Sequence, residues 1–205
     1  MANWVSNSLD IIGTKDEVEE FMKFVNAEHT VTHFDWKDDE DGNKVEVLED
    51  ITYSSKFNFN AIVPAPTEPN AYSDHIDENG KVQQPWYDWN INNWGTKWNA
   101  REVSVDRMAD NCVSYYFDTA WSPPTPIIEK LAKLFPTVKI HYRYEEEQGW
   151  GGEVIINEGS VITAHEWDIP ETHAESVQYR GWCYCEESPD ELSYPDCPKD
   201  EVADV

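Results

Sequence analysis

Two segments of the chain carry the spacing of apolar residues that is typical of an amphipathic helix. The first begins with a capping box, in which Thr14 is followed three residues later by Glu17. The second begins at Thr125, which can cap it, and Pro126, which suits the first helical position. The pattern predicts two helices with one buried face each, formed by Val18, Phe21, Met22 and Val25 in the first helix and by Ile127, Ile128, Leu131, Leu134 and Phe135 in the second.

Other segments alternate apolar and polar residues or are rich in β-branched and aromatic ones, as strands are. Residues 30–53 are predicted to form an acidic hairpin that turns at Asp41 and Gly42. With the two helices, the order of elements is a β-α-β-β-α-β unit followed by extra strands. The strands are predicted at residues 3–13, 54–64, 111–121, 137–147 and 153–167.

This order predicts an α+β fold, namely a ferredoxin-like split βαβ antiparallel sheet with two helices on one face. A Trp-rich insertion and C-terminal extra strands would be added to it. We expect a ferredoxin-like domain over residues 1–160, with insertions at about 30–50 and 64–110. Residues 161–205 would form a C-terminal strand extension and an acidic tail.

The charge balance restricts the class of partner. The chain has 41 acidic and 15 basic residues, and its formal net charge is -26. Such a surface repels phosphate backbones and anionic membranes and attracts basic proteins over about 8 Å at physiological salt. The sequence contains no run of about 18 apolar residues, so no membrane span is predicted. The N-terminus lacks the pattern of a secretory signal. We therefore expect a protein of the host cytoplasm with reduced cysteines, and neither membrane nor direct nucleic-acid binding.

Five blocks of the sequence are similar, in the same order, to an uncharacterised family. The blocks read "MANWVSNSLDIIG", "FNFNAIVPAP", "WNINNWGTKWNA", "YYFDTAWSPPTPIIEKLAKLFP" and "YEEEQGWGGE". They resemble the Api-like accessory proteins of phages and conjugative plasmids, over roughly residues 1–160. The resemblance implies a ferredoxin-like fold and a mobile-element origin, but it supplies no catalytic or ligand residues. The acidic residues 35–50 and the cysteine-bearing C-terminus look individual to this chain.

The acidic residues 35–50 support the first functional interpretation. Carboxylates on a rigid scaffold can mimic a phosphate backbone and occupy the basic groove of a nucleic-acid enzyme, although such runs are usually a solvated face. The implied mobile-element origin favours a non-enzymatic binding protein that inhibits a basic host protein of a nucleic-acid-targeting defence system, as an anti-CRISPR or anti-restriction factor. Its partner-binding residues would be Asp35, Asp38, Asp39, Glu40, Asp41, Glu46, Glu49 and Asp50.

The segment "WYDWNINNWGTKWNA" supports an alternative interpretation. Indole rings stack on bases and sugars, so this insertion can be a small-ligand or single-stranded nucleic-acid binding module. The opposing interpretation, which we favour, is that the tryptophans clamp the insertion onto the sheet and that Gly95 makes a tight turn. The residues of the alternative binding site are Trp86, Trp89, Trp94, Lys97 and Trp98.

Catalytic and metal motifs are weak in this sequence. Cys183 and Cys185 are two residues apart, Cys197 lies twelve residues further on, and His173 can supply a fourth ligand. Zinc sites usually use a Cys-x₂₋₄-Cys spacing, so packed, reduced thiols without a metal or a cofactor are the expectation. The sequence contains no P-loop, nucleophile elbow or zincin motif. We therefore expect no enzymatic activity.

Overall fold

The computed structural model describes residues 3–183, 185 and 194–197. Six of its strands form one antiparallel sheet, whereas two further pairs form separate two-stranded sheets. The elements in chain order are β1 (Trp4–Ile12), α1 (Lys15–Val25), β2 (His29–Asp38), β3 (Lys44–Tyr53), α2 (Phe59–Ile62), α3 (Pro69–Tyr72), β4 (His75–Ile76), β5 (Val82–Gln83), α4 (Pro85–Trp94), β6 (Arg101–Ala109), β7 (Cys112–Ala120), α5 (Thr125–Leu134), β8 (Lys139–Glu146), β9 (Gly151–Asn157), β10 (Ser160–Trp167) and α6 (His173–Arg180).

The large sheet has the strand order β10-β9-β8-β1-β7-β6. Its last four strands are joined by α1 and α5 as a split βαβ unit, in which the first strand lies between the third and the fourth. β1 pairs with β7 on one side and with β8 on the other. The ferredoxin-like α+β fold predicted from the sequence is therefore confirmed, and β9 and β10 are the predicted extra strands.

One face of this sheet packs against α1 and α5. Leu9, at the centre of β1, is completely buried in the same apolar cluster as the helix residues. The rings of Phe21 in α1 and Phe135 after α5 have their centroids 5.0 Å apart. The capping box of α1 is present as predicted. The cap predicted for α5 is wrong, because Thr125 is already helical and Pro124 precedes it without a side-chain hydrogen bond.

The strand predicted at residues 54–64 is wrong, since this segment contains the short helix α2. The alternating letters "FNFN" imitate a strand, but the amide of Asn58 donates to the carbonyls of Ala27 and Tyr53. Its carbonyl oxygen also accepts the backbone N–H of Asn60, which caps α2. The strand that occupies this place in the split βαβ unit is β6, within the segment 64–110 that the sequence assigned to an insertion.

The tryptophan segment forms α4, a helix that the sequence pattern did not predict. It ends at Gly95, whose φ of 80° is the left-handed conformation that glycine adopts most readily. Trp94 is buried, and its indole N–H donates to the carbonyl of Val63 at 2.9 Å. The helix therefore holds the connection between α2 and β6 in place, as the clamp interpretation predicts.

The second face of the sheet is partly covered by α6, another helix that the sequence pattern did not predict. Arg143 of β8 donates to the backbone carbonyls of Tyr179 and Arg180, and its guanidinium lies 5.1 Å from the ring centroid of Trp167. Over residues 3–183, 185 and 194–197, none of the helices is long and apolar enough to cross a bilayer.

Candidate functional site

The predicted acidic hairpin is formed by β2 and β3, which pair over ten positions from His29 and Tyr53 to Asp38 and Lys44. It turns through Gly42, with φ at 81°, as the sequence predicted. We call β2, β3 and their turn the acidic hairpin. It forms a separate two-stranded sheet, so each of its strands has one edge that is not paired with another strand of that sheet.

The base of the acidic hairpin is fixed on the rest of the protein. Val31 is completely buried, and the hydroxyl of Tyr53 lies 3.0 Å from Nε2 of His33. The backbone N–H of Phe34 donates to Oγ of Ser73 at 2.8 Å. Beyond Phe34 every residue of β2 is exposed. This half extends for four residues, or roughly 14 Å at the rise of a strand.

The turn of the acidic hairpin is held by a carboxylate. Asp39 accepts the backbone N–H groups of Asp41 and Asn43 at 2.9 and 2.8 Å. Hydrogen bonds from the backbone and side chain of Asn43 lower the pKa of Asp39, so this group stays ionised at neutral pH. The negative charge at the tip is therefore attached to a defined turn.

The eight acidic residues predicted to bind a partner all lie on this hairpin. Asp38 is paired with Lys44 at 2.8 Å, and Glu49 is paired with Lys37. Since these are the two lysines among residues 35–50, the segment keeps an excess of six negative charges. Glu46 lies opposite Trp36 in the register. The side chains of Asp39 and Glu49 are half-buried, and the exposed ones are Asp35, Asp38, Glu40, Asp41 and Asp50.

Apolar side chains share one face of the hairpin with some of these carboxylates. Phe34 lies directly opposite Leu48, and Trp36 follows two residues after Phe34, so these three side chains share a face. Leu48 is 59% exposed and Trp36 is 43% exposed. Asp38 and Asp50 lie on the same face, at the two ends of the apolar strip. An exposed apolar strip with a charged border is typical of protein–protein contact surfaces.

A cavity of about 460 Å³ lies where the base of the hairpin meets α3 and α4. Three of the five residues predicted for a ligand site line it, namely Trp86, Trp94 and Trp98. Trp89 instead packs edge to face against Trp94 at 5.4 Å. The ammonium of Lys97 lies over the rings of Trp98 and Trp121, at 4.6 and 4.7 Å from their centroids.

Other lining residues of this cavity come from distant segments, and no pattern in the sequence groups them. They include His33, Tyr53, Tyr72, Asp74, Asn90 and Arg101. Burial lowers the pKa of His33 more than nearby Asp74 raises it, so this imidazole is neutral at pH 7. The indole N–H of Trp86 donates to Asp74 at 2.6 Å. The cavity thus combines aromatic walls with an acidic and a basic side chain.

The second face of the large sheet carries a polar network around His141. Its Nε2 lies 2.5 Å from Oε1 of Glu153, and its Nδ1 lies 3.6 Å from Oδ2 of Asp10. The hydroxyl of Ser114 donates to Asp10, rather than to the imidazole, at 2.6 Å. The hydroxyl is therefore not bonded to the imidazole, so the network lacks the hydroxyl–imidazole contact of a Ser-His-Asp triad.

A fourth site lies at the C-terminal end, where we define the thiol–imidazole cluster as His173, Cys183, Cys185 and Cys197. Their four potential ligand atoms all lie within 4.8 Å of one another. The three cysteines are buried and not in disulfides. Burial raises the pKa of the Cys183 thiol, but hydrogen bonds from Cys185, His173 and Cys197 outweigh burial and lower that pKa to about 7.

Comparison with known proteins agrees with this fold. The crystal structure of protein api92 from Yersinia pseudotuberculosis superimposes with a TM-score of 0.58 and 11% sequence identity, over 83% of this chain and 99% of that chain. Residues 93–180 match a family described as the ferredoxin-like domain in Api92-like protein. No curated protein sequence is similar to this chain.

These findings first define the class, which is an α+β protein built on a ferredoxin-like sheet. More particularly, residues 93–180 match the model of the ferredoxin-like domain in Api92-like protein, and the resemblance predicted from the sequence is confirmed. The matched segment supplies five strands of the large sheet. β1 lies outside it, yet pairs with two of those strands.

Proposed function

We propose that this protein is an acidic, non-enzymatic binding protein of a phage or plasmid, and that its acidic hairpin docks on a basic host protein. The observation that carries the proposal is the exposed outer half of the hairpin, which joins excess carboxylates to the apolar side chains of Trp36 and Leu48. Charge would steer the encounter, and apolar burial would stabilise the complex.

A nucleic-acid-targeting defence factor is the kind of host protein that fits this surface. Its groove must be basic, because it binds a phosphate backbone. Carboxylates on one face of a strand repeat at about 7 Å and can occupy such a groove in place of phosphates. The implied mobile-element origin makes an anti-CRISPR or anti-restriction role the natural use of such mimicry.

A matched pair of triple variants tests this proposal. Asp35→Asn, Asp38→Asn and Asp50→Asn together remove three charges from the hairpin. Asp16→Asn, Glu19→Gln and Glu20→Gln remove three exposed charges from α1 and serve as the control. Partners are captured from host lysate at low and high salt and identified by mass spectrometry, and the affinity for the purified partner is then measured.

We expect a basic partner whose affinity falls with salt and falls further in the hairpin variant, while the α1 variant binds like the wild type. Trp36→Ala should weaken the same complex about tenfold, because a buried interface tryptophan often contributes more than about 1 kcal/mol. Capture of no basic protein, or binding that neither salt nor the hairpin variant weakens, would contradict the proposal.

The cavity supports a second candidate function, which is the binding of a small aromatic ligand. Trp86 and Trp98 line it together with neutral His33 and the charged side chains of Asp74 and Arg101. A ring stacked on an indole would gain about 1–3 kcal/mol. Because the chain is so acidic, uncharged nucleosides should bind better than nucleotides or short oligonucleotides.

Tryptophan fluorescence titrations with nucleosides, nucleotides and oligonucleotides test this second function. Trp98→Phe should weaken binding, whereas Trp36→Phe removes an indole outside the cavity and should leave the affinity unchanged. A flat titration with every probe, or equal losses in both variants, would exclude the cavity as the binding site.

A further inference from the structure

The thiol–imidazole cluster gathers one residue from the start of α6 and three from the segments that follow this helix. His173 is the first residue of α6, whereas Cys183 follows the end of that helix at Gly181. The segment that contains Asp196 and Cys197 is hydrogen-bonded to the start of α6, since the backbone N–H of His173 donates to Asp196 at 2.8 Å. This contact places Cys197, the next residue, beside the other thiols.

Two distances within the cluster match those of a metal site. Sγ of Cys183 lies 3.7 Å from Sγ of Cys197, and Sγ of Cys185 lies 3.3 Å from Nδ1 of His173. In a tetrahedral zinc site with bonds of about 2.3 Å to sulfur and 2.0 Å to nitrogen, sulfur atoms are about 3.8 Å apart and sulfur and nitrogen about 3.5 Å apart. A disulfide would require about 2.05 Å between sulfurs. The spacing therefore fits four ligands around one ion.

The chemistry of the ligands selects the ion. Thiolates and imidazole favour Zn²⁺ and other soft or borderline metals, and they disfavour Mg²⁺ and Ca²⁺. Three thiolates and one imidazole complete a tetrahedron, which leaves no position for a substrate or an activated water. We propose that the thiol–imidazole cluster binds one Zn²⁺ ion as a closed, structural site.

The position of the cluster indicates what the ion stabilises. It joins the first turn of α6 to the segment that contains Cys183 and Cys197. The other end of α6 is attached to the large sheet through Arg180 and Glu145. Zinc would thus fix the C-terminal segment on a helix that is itself anchored, independently of the acidic hairpin. In the sequence, the Cys-x-Cys spacing of Cys183 and Cys185 favoured packed thiols. The spacing is compatible with a metal site here because the other two ligands, His173 and Cys197, come from other segments.

The fourth cysteine provides a matched control. Cys112 is half-buried on β7 and outside the cluster, so Cys112→Ser removes a thiol without removing a proposed ligand. Cys183→Ser and Cys197→Ser each remove one ligand, and His173→Asn removes the imidazole. The full-length wild type and all variants are purified under reducing conditions, incubated with Zn²⁺, freed of unbound metal and measured by plasma mass spectrometry.

We expect one zinc ion per chain in the wild type and in Cys112→Ser, and a loss of most of it in the three ligand variants. Cobalt titration of the metal-free wild type should give thiolate-to-cobalt charge-transfer absorption and the intense visible bands of tetrahedral coordination. This readout does not depend on whether a variant folds. Three results would overturn the proposal: no stoichiometric zinc in the reduced wild type, a disulfide between Cys183 and Cys197 in that protein, or a cobalt spectrum without thiolate bands.

Discussion

The guanidinium of Arg180 donates two hydrogen bonds to one oxygen of Glu145, from Nε at 2.9 Å and from Nη2 at 2.6 Å. The Arg180 side chain is 4% exposed, and that of Glu145 is 21% exposed. This pair attaches the last residue of α6 to the end of β8. It thereby places the C-terminal helix on the sheet face opposite to α1 and α5.

Glu145→Ala should lower the free energy of unfolding by about 2 kcal/mol, because it removes a carboxylate that accepts two hydrogen bonds from a buried guanidinium. Hydrogen exchange should also accelerate in α6 more than in α1. Urea denaturation and exchange measured by mass spectrometry check both effects. Glu147→Ala removes an exposed carboxylate two residues away and is the control. Equal stability of the two variants would show that the pair does not anchor the helix.

A buried polar contact joins three strands of the large sheet. The hydroxyl of Tyr142 donates to Oδ1 of Asn7 at 2.6 Å, and the amide nitrogen of Asn7 lies within hydrogen-bonding distance of oxygen atoms of Val5, Phe117 and Thr119. Tyr142→Phe should therefore cost about 1–3 kcal/mol of stability, since it leaves the amide oxygen unsatisfied. Tyr116→Phe, at a residue 42% exposed, should cost much less in the same denaturation experiment. A neutral Tyr142→Phe would mean that water replaces the hydroxyl.

The strands that carry the core could be predicted from sequence, because burial on one face imposes a strict alternation. β8 shows this best, with Ile140, Tyr142 and Tyr144 buried and the intervening residues half-buried or exposed. β6 could not be found in this way, because it is an edge strand on which only Val103 and Val105 are even half-buried. Its apolar signal is therefore weaker than that of "FNFN", which is not a strand.

The candidate sites also differ in how far they could be predicted from the sequence. The acidic hairpin is local, so its strands, its turn at Gly42 and its charges could all be predicted from neighbouring letters. The cavity required knowledge of α4, where polar Asn90 is buried because it accepts from Tyr72 and donates to the carbonyl of Lys97. Binary patterning treats such an asparagine as surface and misses the helix. The thiol–imidazole cluster likewise depends on a tertiary contact between His173 of α6 and cysteines that follow this helix, and the spacing of the cysteines does not specify this contact.

The capping box of α1 makes a prediction about pH. Hydrogen bonds from the side chain of Thr137 and from the backbone and side chain of Thr14 lower the pKa of Glu17 from 4.5 to about 2. Because the folded pKa lies below the unfolded one, ionised Glu17 stabilises the protein fully above pH 4.5. That contribution is lost as the pH falls toward 2.

Glu17→Gln should therefore be less stable than the wild type at pH 6, and the difference should shrink as the pH is lowered from 4.5 to 2. Glu19→Gln, an exposed substitution on the same helix, corrects for the loss of one negative charge. Thermal denaturation followed by circular dichroism across this range gives both differences. A gap between Glu17→Gln and the wild type that stays constant with pH would argue against the capping role of the carboxylate.

Two glycines in the left-handed conformation allow the stability cost of backbone strain to be measured separately from the cost of a packing clash. Gly42 and Gly95 have φ angles of 81° and 80°, but a Cβ on Gly42 would meet nothing within 4 Å, whereas one on Gly95 would lie 2.7 Å from Cδ of Pro126. Gly42→Ala should cost about 1 kcal/mol of stability, which is the strain of a left-handed alanine. Gly95→Ala should cost roughly 3 kcal/mol, because the same strain is joined by a clash between the end of α4 and α5.

Denaturation followed by tryptophan fluorescence measures both costs, and three of the ten tryptophans, Trp86, Trp89 and Trp94, lie in α4. If Gly95 fixes the position of α4 against α5, then Gly95→Ala should also change the native emission spectrum, whereas Gly42→Ala should not. The comparison of the two variants bears on function as well, since α4 forms one part of the cavity wall and the acidic hairpin forms another part. Equal costs for the two substitutions would mean that Pro126 yields and that the contact between α4 and α5 is adaptable.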